Sequence, residues 1–147
     1  MKTANILIVE DELILAKNLA RKLQRYGYNI VDIVNSGDKA INNVAEIKPD
    51  IILMDIVLKG NMDGITASKT IQTTYNIPII YLSSYCDRET LKRARKTNPK
   101  GYLTKPYKLE DLQAIALRKN VRTVFEGSIY TFSDCFKLRQ HLFHPSL

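Results

Sequence analysis

Short runs of apolar residues alternate along the chain with longer stretches in which apolar residues recur at helical spacing. Most of the runs are rich in branched side chains and apolar at consecutive positions, which is typical of strands buried on both faces. Five strands are predicted in this way, at Ile6–Val9, Ile30–Val34, Ile51–Met54, Ile77–Leu82 and Gly101–Leu103.

The stretches between these runs predict five helices. In the first of them, Leu15, Leu19 and Leu23 fall on one face and basic residues lie between them. Glycine or proline marks the end of several stretches, because neither residue continues a helix well. The predicted helices span Asp11–Tyr26, Ser36–Pro49, Gly64–Tyr75, Asp87–Thr97 and Leu109–Val124.

The regular alternation of strands and helices predicts an α/β fold, a doubly wound five-stranded parallel sheet with helices on both faces. In such sheets a ligand binds beyond the carboxyl ends of the strands, at the point where the strand order reverses. The residues that end the strands are therefore the first candidates for a functional site.

Chemically active side chains stand at four of the predicted strand ends. Glu10 and Asp11 follow the first strand, Asp55 follows the third, Ser83 follows the fourth and Lys105 lies just beyond the fifth. Carboxylates that meet at one edge repel one another, and a hard cation such as Mg2+, which prefers oxygen ligands, relieves that repulsion. The set predicts a site for a divalent cation and a phosphoryl group, with Asp55 as the nucleophile and an acyl phosphate as the product.

Each of these residues by itself also fits an ordinary structural role. Asp11 could be a helix N-cap, Asp55 could begin an Asx turn, and Ser83 could be a simple turn residue. Their joint placement at four strand ends is what favours a functional site over these separate roles.

Length and charge narrow the class of protein. The chain has 147 residues and a net charge of +7, from 22 Lys plus Arg and 15 Asp plus Glu. This length corresponds to one domain, and the positive charge favours anionic partners. No apolar run reaches the roughly 18 residues of a membrane-spanning helix, and the N-terminal segment lacks the layout of a signal peptide. We therefore expect a cytoplasmic protein that does not enter a membrane.

Five segments resemble the receiver domain of two-component response regulators, in the stand-alone form typical of chemotaxis regulators. They stand in the order of that family and extend the resemblance over about residues 4–122. The resemblance implies a flavodoxin-like (βα)5 receiver fold. The matching segments are Ile6–Glu12, Ile51–Asp55, Met62–Ile65, Ile79–Tyr85 and Gly101–Tyr107.

The resemblance implies a role for each acidic residue of the site. Asp55 matches the phosphoacceptor, which takes a phosphoryl group from a histidine kinase or a phosphotransfer protein in a two-component phosphorelay. Glu10 and Asp11 match the acidic pair that, together with Asp55 and the backbone carbonyl of Val57, holds Mg2+ or Mn2+.

The resemblance also implies a conformational switch. Ser83 matches the hydroxyl that follows the phosphoryl group, Lys105 matches the phosphoryl-binding lysine, and Tyr102 matches the aromatic residue that turns inward on activation. The bond between Lys105 and Pro106 matches one that is usually cis. We expect a signalling protein rather than a turnover enzyme, with self-catalysed phosphotransfer and slow autodephosphorylation as its only chemistry.

Two positions are predicted to set the lifetime of the phosphoryl group. Val57, two residues after the acceptor, cannot orient a water, and Tyr85, two residues after Ser83, could shield the phosphorus. We therefore predict slow hydrolysis. The chain departs from the common family pattern in lacking a proline at the start of the loop after Asp55, and in having serine where threonine is commoner at position 83.

Residues 1–122 are expected to form the receiver domain, and residues 123–147 a short aromatic extension with no separate output domain. The basic helix at residues 88–100, beside Tyr102, is predicted to dock an unidentified downstream protein, although a solvated face explains the same charges. Nucleic acid is not an expected partner, because aromatic residues are not interleaved along this helix. The extension and the face around Tyr102 are both candidates for a homodimer contact.

A second function class stays open at this point. A receiver-like module can bind its partners without being phosphorylated. The intact set of Asp11, Asp55, Ser83 and Lys105 argues against this alternative, since loss of any one of them would have favoured it.

Overall fold

The structure, a computed structural model, describes residues 3–117. Strands and helices alternate through this range. The strands are β1 (Asn5–Val9), β2 (Asn29–Val34), β3 (Ile51–Asp55), β4 (Ile79–Ser83) and β5 (Gly101–Thr104). The helices are α1 (Leu13–Arg25), α2 (Gly37–Ile47), α3 (Gly64–Thr74), α4 (Arg88–Arg95) and α5 (Leu109–Leu117).

The strands form one parallel sheet in the order β2-β1-β3-β4-β5, which confirms the predicted fold class. The strand order reverses between β1 and β3, and this is where such sheets bind ligands. β1 and β3 pair with Val9 opposite Met54, so the residues that follow, Glu10 and Asp55, lie at the same edge.

Contacts divide the chain into two compact units, the first ending at Ile79 and the second beginning at Ile80. In the first unit β1 pairs with both β2 and β3. In the second unit β4 pairs with β5, and Ser83 lies opposite Thr104. The carboxyl ends of β1, β2 and β3 thus belong to the first unit, and those of β4 and β5 belong to the second.

The strands nearest the reversal carry the core of the first unit. All five residues of β3 are buried, as are the last four of β1, which explains why these strands read as unbroken apolar runs. β2 is one of the two edge strands of the sheet and is only partly buried. Within residues 3–117, no helix is both long enough and apolar enough to span a bilayer.

Three helices begin at side-chain N-caps that the sequence provides. Ser36, Asp63 and Asp87 each accept a hydrogen bond from the backbone N–H three residues later, at 3.2, 2.8 and 3.0 Å. Such caps satisfy backbone donors that the first helical turn leaves without partners. The starts of α2, α3 and α4 lie within one residue of their predicted positions.

Several predicted boundaries are corrected by the structure. β4 begins at Ile79 rather than Ile77, because Pro78 has no N–H to donate to a strand ladder. α1 begins at Leu13 rather than Asp11, and α4 ends at Arg95 rather than Thr97. The predicted end of the fifth helix and the extension at 123–147 lie outside the described residues.

Candidate functional site

Three carboxylates meet at the carboxyl ends of β1 and β3. Glu10, Asp11 and Asp55 each bring an oxygen atom to within 4.8 Å of the others. Glu10 and Asp55 are buried, with exposed fractions of 7% and 8%, and Asp11 is half-buried. Sequence reasoning predicted this grouping, and the pairing of β1 with β3 produces it.

The charge of this acidic cluster explains why it favours a cation. Three like charges at this separation repel one another, and burial of two of them weakens their hydration. An all-oxygen donor set that is mainly carboxylate is the chemistry that Mg2+ and Mn2+ select. Glu10, Asp11 and Asp55 therefore fit the divalent cation that the resemblance implies.

Local hydrogen bonds fix the backbone on which the cluster stands. The N–H of Glu10 donates to the carbonyl of Val34 at 3.0 Å, and the N–H of Glu12 donates to Oε1 of Glu10 at 3.3 Å. The N–H of Ile56 donates to Oδ1 of Asp55 at 2.8 Å, which restrains the rotation of that carboxylate. These hydrogen bonds at the strand ends fix the geometry of the acidic cluster.

Gly64, the first residue of α3, packs directly against the backbone of the predicted phosphoacceptor. A Cβ atom at this position would lie 1.9 Å from the carbonyl oxygen of Asp55, so no other residue type fits without displacing the backbone. The N–H of Gly64 also donates to the carbonyl of Ile56 at 2.7 Å. Sequence reasoning included Gly64 in a family motif but did not predict this positioning role, for which the Asp63-Gly64 pair at a helix start was the available signal.

Apolar residues that closely follow Asp11 and Asp55 in the sequence lie at the surface. Leu13, Ile14 and Leu15 form the first turn of α1 and are 56%, 85% and 45% exposed. Val57, two residues after Asp55, is 52% exposed. Their exposure was not predicted, because leucine and isoleucine at the start of an amphipathic helix are more often buried.

The second unit holds the other predicted site residues. The N–H of Lys105 donates to the carbonyl of Ser83 at 2.7 Å, which continues the pairing of β4 with β5. Ser83 is fully buried, and its Oγ accepts a hydrogen bond from the N–H of Tyr85 at 3.0 Å. The hydroxyl of Tyr102 donates to the carbonyl of Tyr85 at 2.5 Å. Two side chains are thus tied to opposite ends of one residue, Tyr85.

Tyr102 lies inward in this structure, since it is only 1% exposed. The side chain of Tyr85 is 54% exposed, although its backbone makes the bonds described above. The Lys105–Pro106 peptide bond is cis, as the resemblance implied.

Lys100 corrects the predicted basic surface at residues 88–100. It lies beyond α4, is buried, and donates from Nζ to the carbonyl of Ala116 in α5 at 2.6 Å. Desolvation lowers the pKa of the Lys100 ammonium from its ordinary value of 10.5. Lys100 therefore binds the backbone of α5 and is not part of an exposed docking surface. The exposed basic residues on and beside α4 are Arg88, Lys92, Arg93, Arg95 and Lys96.

Comparison with known proteins agrees with this fold. Residues 6–117 match the response regulator receiver domain family. The transcriptional regulatory protein PdtaR of Mycobacterium tuberculosis is 34% identical over 139 residues, which cover 92% of this chain and 67% of PdtaR. The DNA-binding response regulator MtrA of Mycobacterium leprae is 30% identical over 118 residues, which cover 78% of this chain and 52% of MtrA.

Comparison with solved structures also finds receiver domains. The signal receiver domain of a modulated diguanylate cyclase from Desulfovibrio desulfuricans G20 superposes with a TM-score of 0.74 at 35% identity, covering 78% of this chain and 91% of that domain. CheY from Borrelia burgdorferi, solved with CheX, BeF3 and Mg2+, gives 0.71 at 25% identity, covering 78% and 87%.

The fold, the family match and the superposed receiver domains together place the chain in the receiver class of signalling proteins. The chain belongs to the response regulator receiver domain family. It spans two thirds of the length of PdtaR and about half that of MtrA.

Proposed function

We propose that this chain accepts a phosphoryl group on Asp55 from a phosphohistidine of a histidine kinase or phosphotransfer protein. A carboxylate oxygen of Asp55 attacks phosphorus, the P–N bond breaks, and the electron pair leaves with the imidazole nitrogen, which then takes up a proton. The product is an acyl phosphate on Asp55. The observation that carries this proposal is the acidic cluster of Glu10, Asp11 and Asp55 at the strand reversal.

The proposed step is Mg2+-dependent, and Mn2+ is the expected substitute. Glu10, Asp11, Asp55 and the backbone carbonyl of Val57 would hold the cation, which when bound neutralises charge between the carboxylate and the phosphoryl oxygens. The chain itself orients the Asp55 carboxylate through the N–H of Ile56.

Ser83 and Lys105 are proposed to receive the phosphoryl group. The carboxyl ends of parallel strands face one edge of a sheet, and β4 follows β3 in the strand order. A hydroxyl can donate to a phosphoryl oxygen, and an ammonium can neutralise its charge. Rotation of the Ser83 hydroxyl toward a phosphoryl oxygen would move its Oγ away from the N–H of Tyr85, the residue whose carbonyl accepts from the hydroxyl of Tyr102. Ser83 and Tyr102 thereby form the proposed switch.

Mass spectrometry of the intact protein after incubation with acetyl phosphate tests the phosphoacceptor. We expect a gain of one phosphoryl group that disappears in Asp55→Asn and when EDTA replaces Mg2+. The matched control is Asp38→Asn, which removes an exposed carboxylate on α2 and should leave the gain unchanged. No gain with any donor would favour the phosphorylation-independent interaction module instead.

The phosphoryl group is proposed to hydrolyse slowly. The Val57 side chain cannot hydrogen bond a water, and the ring of Tyr85 is available at the surface to cover the phosphorus. Release of inorganic phosphate from the phosphorylated protein measures the lifetime. We expect minutes or longer for the unmodified chain and faster release in Val57→Asn, whereas a lifetime of seconds in the unmodified chain contradicts this part of the proposal.

The phosphodonor protein is proposed to cover the exposed apolar turn at Leu13, Ile14 and Leu15. Transfer requires the donor nitrogen to come within roughly 3–3.5 Å of the reacting atoms, so the surface around Asp55 is covered during the step. Ile14→Asp should slow transfer from an autophosphorylated histidine kinase, selected because it phosphorylates the unmodified chain. Phosphorylation by acetyl phosphate should be unchanged, and Ile47→Asp, at another exposed isoleucine, should affect neither reaction. Equal rates from the kinase in both variants would place the donor elsewhere.

The remaining proposals concern the output of the signal. The exposed basic residues of α4, together with the region of Tyr102, are proposed to dock an acidic downstream protein. A homodimer through this face or the extension at 123–147 is the second arrangement, and size measurement with and without phosphorylation distinguishes them. We propose that the protein acts in the cytoplasm, where a histidine kinase transfers the phosphoryl group.

A further inference from the structure

Tyr81 lies between Tyr102 and α4, outside the set of residues that take part in phosphoryl transfer. It occupies the centre of β4 and is fully buried. Its ring and that of Tyr102 pack with centroids 6.0 Å apart and planes inclined by 50°. Tilted aromatic pairs at this separation attract one another, so a change in the position of Tyr102 acts directly on Tyr81.

The hydroxyl of Tyr81 continues the contact to α4. It lies 2.7 Å from Oγ1 of Thr97, and that oxygen lies 2.7 Å from the carbonyl oxygen of Ala94. A carbonyl can only accept, so the hydroxyl of Thr97 donates its single proton to the hydrogen bond with Ala94. Thr97 Oγ1 therefore accepts a hydrogen bond from the hydroxyl of Tyr81, and the two bonds run in one direction from the sheet to the helix.

This chain of bonds ends on the last turn of a short helix. α4 has eight residues, and its final carbonyls lack the partners that a longer helix would supply. The carbonyl of Ala94 accepts both the side chain of Thr97 and its N–H, the latter at 3.1 Å. The same turn carries exposed Arg95 and is followed by exposed Lys96. The hydroxyl of Tyr81 thus anchors the part of α4 that presents its basic surface.

We propose that Tyr81 is a positioning residue that couples the orientation of Tyr102 to the last turn of α4. The inference rests on the proposed function, in which Tyr102 responds to phosphorylation of Asp55. Ring packing links Tyr81 to the switch residue, and the Tyr81–Thr97–Ala94 bonds link it to the helix. Phenylalanine at position 81 would retain the first link and remove the second.

Hydrogen exchange at the backbone amides of residues 95–98 tests this coupling. In the protein without added ligand, Tyr81→Phe should exchange roughly five- to tenfold faster at these amides, since it loses the bond to Thr97, and Thr97→Val should exchange at least as fast, since it loses that bond and the bond to Ala94. The double variant should exchange no faster than Thr97→Val, because that substitution already removes both bonds. Tyr26→Phe, at an exposed tyrosine, is the matched control and should leave these amides unchanged.

The second measurement adds beryllofluoride with Mg2+ as a phosphoryl mimic and follows amide chemical shifts. We expect the unmodified chain to respond at both Tyr85 and residues 95–98, and Tyr81→Phe to respond at Tyr85 while losing most of the change at residues 95–98. Equal responses of α4 in both proteins would overturn the coupling and leave the proposed function intact. No response in the unmodified chain, together with no phosphoryl gain on Asp55, would overturn both.

Discussion

The acidic cluster and the region around Tyr85 are built in different ways. The cluster stands on two paired strands and a helix start, and its positions are set by backbone packing, as the contact of Gly64 with the Asp55 carbonyl demonstrates. In the second region, the Oγ of Ser83 accepts from the N–H of Tyr85 and the hydroxyl of Tyr102 donates to its carbonyl, so each side chain makes one hydrogen bond with the backbone of Tyr85. Packing of this kind resists displacement, whereas a single bond is worth only about 1 kcal/mol and can be exchanged. The difference suits a rigid acceptor beside a responsive switch.

The largest effect is expected from Gly64→Ala, which disturbs the backbone packing beneath the acidic cluster. The added Cβ would lie 1.9 Å from a backbone oxygen that cannot move alone, so we expect a loss of roughly 3 kcal/mol in the free energy of unfolding. Phosphorylation of Asp55 by acetyl phosphate should fall as well. Urea denaturation and the mass measurement check the two effects.

Gly101→Ala is the matched control for this substitution. Its Cβ would meet the side chain of Ile115 at 2.7 Å, and a side chain can adjust more readily than a backbone carbonyl. A smaller stability loss and unchanged phosphorylation are expected. If the two variants are equally destabilised and equally competent, the acceptor region is not held by the backbone contact.

An intermediate effect is expected when one hydrogen bond of the responsive region is removed. Ser83→Ala takes away the acceptor of the Tyr85 N–H and should lower the free energy of unfolding by about 1 kcal/mol. Phosphoryl uptake from acetyl phosphate should also slow, because the hydroxyl proposed to contact the phosphoryl group is gone. Ser84→Ala, at the exposed neighbouring serine, should change stability by less than about 0.5 kcal/mol and leave uptake unaltered. Equal behaviour of the two variants would contradict a role for Ser83.

The smallest effect is expected from the buried ammonium of Lys100. Because desolvation lowers its pKa in the folded chain, the unfolded chain binds this proton more tightly. The stability of the unmodified protein should therefore rise with pH from the folded pKa up to about 10.5, and be independent of this group at lower pH, where both states are protonated. Lys100→Met should lack that rise, and Lys96→Met, at an exposed lysine, should retain it. Denaturation at a series of pH values gives the comparison, and parallel curves for all three proteins would contradict it.

Much of the fold was predictable because its signals are local. The unbroken apolar runs of β1 and β3 indicated strands covered on both faces, and the helical spacing of apolar residues indicated the helices between the strands. The start of β4 was misplaced because the apolar run begins at Ile77, and the effect of Pro78 on the ladder outweighs hydrophobicity there.

The candidate site was predictable for a related reason. In a parallel sheet the residues that end the strands share one edge, so Glu10, Asp11 and Asp55 could be grouped before their distances were known. Lys100 could not be assigned correctly in this way. The basic residues that precede it on and beside α4, Arg95 and Lys96, are exposed, but the Nζ of Lys100 contacts a carbonyl sixteen residues away.

The sequence by itself determined the alternation of elements and the residue types at the strand ends, because each of these depends on neighbours within a few positions. It also determined the family, because five short segments stand in the order of that family. Tertiary structure alone decided that Gly64 presses on the Asp55 carbonyl, that Tyr85 joins Ser83 to Tyr102, and that Tyr81 reaches Thr97. These contacts form only where the folded chain brings two atoms to hydrogen-bond distance or into van der Waals contact. Residue type and spacing do not specify such distances, and the packing of the folded chain does.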